Sequence, residues 1–119
     1  MAICVLSMDL MFPSRIRAAA AQQGVELAVA MSPAALDDRL AESTCPLLII
    51  DLAASHVDMS EFVPTIKKQE HAPGAILAVG PHVQEEMLRS ATEAGCDLVL
   101  TNGQFHSQMD EILARYAMA

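Results

Sequence analysis

Five runs of apolar residues, each of strand length, alternate along the chain with segments whose apolar positions recur every three to four residues. "AICVL" (2–6), "VELAVA" (25–30), "PLLIIDL" (46–52), "GAILAVG" (74–80) and "DLVLT" (97–101) are the strand candidates. The third is the most apolar, as a central parallel strand covered on both faces requires. Glu26 in the second points to an exposed position near a sheet edge.

The intervening segments carry helix signals. Phe12, Ile16, Ala19, Ala20 and Gln23 follow helical spacing, with Pro13 in the first turn and Gly24 as the stop. Ser32 and Pro33 read as N-cap and first helical residue of a helix holding Leu36 and Leu40. Ser60 is expected to cap a third helix with Phe62, Val63 and Ile66, which tolerates Pro64 near its start and ends in Lys67 and Lys68. Pro81 is expected to open a fourth, with Val83, Met87, Ala91 and Ala94 on one face and Gly95 beyond it. Phe105, Met109, Ile112, Leu113 and Tyr116 form the stripe of a fifth.

This alternation with short connections predicts a (βα)5 domain: a doubly wound, parallel, five-stranded sheet of the flavodoxin-like type, helices on both faces, spanning residues 1–119 as one unit. Seven basic against fifteen acidic residues, a formal charge of −8, argue against nucleic acid and anionic membrane, which need a basic face. One Tyr and three Phe give no stacking platform for bases. No apolar run approaches a membrane span, and "MAICVLSMDL" lacks the basic start of a signal peptide, so a cytoplasmic protein is expected. Cys4, Cys45 and Cys96, widely spaced and odd in number, read as three buried thiols. The eight Met residues read mostly as core packing.

Asp51 ends the central strand, at the edge of the sheet where open α/β folds gather functional groups. Together with "EMLRSATEAGCDLVL", and with Gly24 and Gly95 at matching distances, it makes the whole chain resemble the receiver (CheY-like) domain of bacterial response regulators. The resemblance implies strand order 2-1-3-4-5 and makes Asp51 the phosphoacceptor-equivalent position. Receivers place an acidic pair for Mg²⁺ after the first strand, a Thr or Ser after the fourth, and Lys-Pro after the fifth. Those positions fall here on Ser7 and Met8, on Gly80, and on Asn102 and Gly103. Phosphoryl transfer depends on positioning and charge neutralisation, so the chain resembles a degenerate receiver, or pseudo-receiver. Leu10, Met11 and Phe12 suggest that the former acidic pocket is apolar and filled.

Asp51 then reads first as a carboxylate accepting loop N–H groups. His56, His82 and His106 follow the third, fourth and fifth strands at the same end, while His71 lies at the other. Asp9, Asp51, His56 and His82 offer metal-ligand chemistry without the i, i+3 or i, i+4 pairing that makes a motif specific. No Gly-rich phosphate cradle follows a strand.

The function expected is a non-enzymatic signal-transduction module, independent of phosphorylation and of any cofactor, acting by contact with a histidine kinase, another signalling protein or a second copy of itself. The resemblance implies a contact face on the fourth helix, fifth strand and fifth helix, including Arg89, Asp97, Val99 and Thr101. With no room for an output domain, it is expected to act alone or through a partner. One alternative is an active single-domain receiver binding Mg²⁺ through Asp9 and Asp51. Another is a small-molecule or metal sensor at the Asp51, His56 and His82 end.

Overall fold

A computed structural model describes residues 1–117. Its elements run β1 (Ile3–Leu6), α1 (Met11–Gln22), β2 (Leu27–Ala30), α2 (Pro33–Glu42), β3 (Leu48–Asp51), α3 (Met59–Lys67), β4 (Ile76–Gly80), α4 (Glu85–Ala94), β5 (Leu98–Thr101) and α5 (Asn102–Ala117). The strands form one parallel sheet in the order β2-β1-β3-β4-β5. This is the flavodoxin-like receiver arrangement expected from the sequence.

Alternate residues along the central strands supply the two halves of the core. Leu48 and Ile50 of β3 pack with Leu36 and Leu40 of α2, Val63 and Ile66 of α3 and Ala91 of α4. Leu47 and Ile49 face the other way, onto Ile16 and Ala20 of α1 and Phe105, Met109, Ile112 and Leu113 of α5. Residues of the central strands that are apolar on both faces are therefore buried by two helical layers, as the run "PLLIIDL" required. β2 lies at one edge, and Glu26 just before it is exposed.

The helix ends follow local chemistry. Ser32 Oγ accepts from the Ala35 N–H at 3.1 Å, with Pro33 opening α2. Gly95 closes α4 at φ 107°, in the left-handed region that a side chain would strain.

Three expectations are corrected. Asp58, not Ser60, caps α3: its carboxylate accepts from the Ser60 N–H at 3.0 Å and the Ser60 hydroxyl at 2.6 Å. Pro81 does not open α4, because residues 81–84 form a turn closed by the Gln84 N–H on the Pro81 carbonyl. That turn leaves Val83 71% exposed, outside the apolar face predicted for it. Cys4 and Cys45 are buried, but Cys96 is only half-buried. Among the described residues, no helix is long and apolar enough to cross a membrane.

Candidate functional site

β1 and β3 deliver Ser7 and Asp51 side by side at the carboxyl end of the sheet. Asp51 is only 5% exposed, and Ser7 is equally enclosed. The Ser7 hydroxyl donates to Asp51 Oδ2 at 2.8 Å, while Ser7 Oγ accepts from the Asp9 N–H at 3.1 Å. The loops after the two strands are tied together by the Met8 N–H on the Ala54 carbonyl, at 2.7 Å. Burial raises the Asp51 pKa above its ordinary 3.8, and the nearby Asp9 charge adds to this. The Ser7 hydroxyl and the backbone N–H groups of Ala53 and Ala54 oppose the rise without cancelling it. The loop-anchored carboxylate expected from the sequence is present, with Ser7 as its main side-chain partner.

An open cleft of about 440 Å³ lies in front of Asp51, between α1 and α5. Asp9, Arg15, Ala53, Asn102 and His106 line it, with Met11, Phe12, Phe105 and Met109 as its apolar wall. Phe12 stacks on Phe105 with ring centroids 5.9 Å apart. The pocket is therefore not filled, contrary to the sequence expectation. Helix α1 begins at Met11 and turns Phe12 inward, while Leu10 is left 75% exposed and Met11 largely so.

The remaining positions divide. Met8 points to solvent. Asp9 lines the cleft, but its Oδ1 accepts from the Met11 N–H at 3.2 Å and so helps to start α1. Asn102 is the first residue of α5 and lines the cleft, whereas Gly103 faces open space. Gly80 is closely packed: a Cβ there would stand 3.2 Å from Leu52 Cδ1 and 3.3 Å from Leu88 Cδ2. The volume that a hydroxyl-bearing side chain would need at that position is taken by two leucines.

His56 and His82 are exposed and lie outside the cleft lining, His56 with a positive φ of 54°. Among the described residues, no three His, Cys, Asp or Glu side chains are grouped to hold a metal ion. Arg15 is the lining residue that sequence reasoning missed. Its signal is the i, i+4 spacing from Met11, which puts it on the cleft side of α1.

On the proposed contact face, Arg89 is exposed and paired with Glu86 at 2.7 Å. Val99 is half-buried against the core. Asp97 has a structural role: its Oδ2 accepts from the Ile76 N–H at 2.8 Å, and Lys67 Nζ lies 3.9 Å from Oδ1. Thr101 and Gln104 exchange hydrogen bonds at the start of α5.

A sheet of this order with an acid ending its middle strand defines a doubly wound α/β domain with its site at the carboxyl edge. More narrowly, the fold is that of response-regulator receivers. The receiver domain of NtrX from Brucella abortus superposes with a TM-score of 0.77 at 17% identity, covering 98% of each chain. The chemotaxis response regulator CheY4 of Vibrio cholerae gives 0.77 at 15%, again over 98% of each. The beryllofluoride-activated NtrC4 receiver domain dimer gives 0.73 at 15%, over 97% of this chain and 98% of that one. No protein-family model and no curated protein matches the sequence. At such identities the likeness carries the fold and leaves the activity to be argued from the site.

Proposed function

We propose that this domain is a non-enzymatic signalling module that works through protein contact without phosphorylation of Asp51. The Ser7–Asp51 hydrogen bond carries this reading. At a position where receivers keep a metal-binding acid, a neutral hydroxyl instead occupies the Asp51 carboxylate oxygen that it faces. Mg²⁺ requires hard oxygen ligands in near-octahedral geometry. Met8 offers a soft sulfur directed at solvent, and the Asp9 carboxylate is engaged in starting α1. The donor set does not fit the ion, and Leu52 and Leu88 close the space beside Gly80.

The partner is a protein of a signalling system, a histidine kinase among the candidates, or a second copy of this chain. The NtrC4 receiver described above is a dimer. The exposed Arg89 and half-exposed Val99 belong to the face proposed for contact. A cytoplasmic setting accords with an acidic domain of this kind. A second reading rests on Asp9, Asp51 and Arg15 lining one cleft: Asp9 and Asp51 would be the ligands of Mg²⁺ in an active receiver.

Thermal-shift titration with Mg²⁺, alone and with beryllofluoride, separates the two. A ligand that binds only the folded state, at a hundred times its dissociation constant, stabilises by about 2.7 kcal/mol. The proposal expects no shift in the wild type or in Asp51→Asn. A rise in the wild type that the substitution abolishes establishes the second reading.

A further inference from the structure

The end of the sheet opposite Asp51 holds two cysteines. Cys4 lies in β1 and Cys45 just before β3, with 2% and 4% exposure. Their meeting depends on an irregularity where β3 begins. Cys4 pairs with Leu48, and its N–H donates to the Leu47 carbonyl at 3.0 Å. Two residues earlier, a regular parallel ladder would carry the Ala2 N–H to the Cys45 carbonyl. It goes instead to the Thr44 carbonyl at 2.9 Å, and the Cys45 carbonyl accepts from the Gly74 N–H. One extra residue thus sits on the β3 side, and such an insertion turns the preceding side chains to the opposite face.

The result is that Cys45 joins Cys4, Leu48 and Leu40 in one apolar layer. Its thiol lies 3.1 Å from the same Leu47 carbonyl oxygen that accepts from the Cys4 N–H. The Cys4 thiol is turned toward the Ala2 carbonyl at 4.0 Å, and the two cysteine side chains lie near enough to shift each other's pKa. The neighbouring Cys45 and burial raise the Cys4 pKa. Cys45 is the member that borders a surface cleft, which suits it to meet an oxidant first. A cleft of about 360 Å³ between the end of α2 and the loop after α3 reaches it, lined by Cys45, Thr44, Glu42, Glu70 and His71.

We propose that Cys4 and Cys45 form a reversible dithiol–disulfide pair, oxidised by hydrogen peroxide that enters through this cleft. The Cys45 thiolate attacks one peroxide oxygen, the O–O bond breaks, and the departing oxygen leaves as water after protonation. The Cys4 sulfur then displaces the hydroxyl of the Cys45 sulfenic acid as a second water, closing the S–S bond. Two thiols lose two electrons and two protons, and hydrogen peroxide becomes two waters. A small thiol reverses the step by exchange. The bond would clamp β1 to the segment entering β3, giving the domain a covalent input remote from Asp51.

Cys96 provides an internal control. It sits beside β5, separated from β1 by β3 and β4, and burial pushes its thiol up to about 11. The test treats the intact chain with hydrogen peroxide, denatures it, alkylates free thiols with N-ethylmaleimide and maps peptides by mass. The reduced chain has three cysteines to alkylate. The oxidised chain is expected to take up maleimide at Cys96 alone, to show a Cys4–Cys45 linked peptide, and to regain all three sites after dithiothreitol. Cys96→Ser should oxidise at the wild-type rate. Maleimide at all three cysteines after peroxide, a linkage through Cys96, or irreversible sulfinic acid at Cys45 would each overturn the proposal. The wild-type map needs no variant that has to fold.

Discussion

The chemistry of the candidate site turns on one carboxylate and the hydroxyl facing it. Asp51 was legible as a strand-terminal acid, because a charge after four large apolar residues needs partners or solvent. Its partner Ser7 was legible only as a departure from the receiver pattern. The 2.8 Å bond depends on how the loops after β1 and β3 meet, which no local signal encodes. Because folding raises the Asp51 pKa, the folded chain holds the proton more tightly than the unfolded one. The charged form therefore lowers stability. Its cost is full above the folded-state pKa and absent below the ordinary 3.8. Asp51→Asn removes that charge while keeping an oxygen for the Ser7 hydroxyl. It should stabilise the domain at neutral pH by on the order of 1 kcal/mol, or roughly 4 °C in Tm. The gain should fade as pH falls through the raised folded-state pKa and be gone below 3.8. Urea unfolding of both proteins across this range checks it, and a destabilised variant at neutral pH would contradict it.

Among the elements, the strands were the most legible, since apolar runs of five or so residues between Gly and Pro signals have few other solutions. The helix starts were less so. Pro81 carries the standard sign of a first helical residue, yet the chain makes a turn there and α4 begins at Glu85. At α3, two capping residues stood close together, and Asp58 took the role assigned to Ser60. The start of α5 shows a readable signal that went unread. Thr101 and Gln104 are three apart, and each side chain accepts from the other's backbone N–H, at 3.1 Å and 3.0 Å. Thr101→Ala should destabilise the domain by about 1 kcal/mol, the usual scale for a lost helix cap. Thr101→Ser should recover most of it. Equal losses in the two variants, measured by urea unfolding, would show that the methyl group and not the cap matters.

At the scale of the whole molecule, the spacing of five βα units predicted a doubly wound parallel sheet, and the receiver resemblance implied the strand order that the sheet has. What the spacing could not convey is side-chain placement at the sheet ends: Arg15 in the cleft, Leu52 and Leu88 around Gly80, and the extra residue that turns Cys45 toward Cys4. These features share one sense. The receiver fold is complete, and on the proposed reading Ser7, Met8, Gly80 and Asn102 stand where phosphoryl transfer would need acidic, hydroxyl-bearing and cationic groups around an acceptor. The most direct test is incubation with Mg²⁺ and a small phosphodonor, followed by intact mass. The account predicts an unchanged mass for the wild type. The added mass of one phosphoryl group, absent in Asp51→Asn, would contradict it.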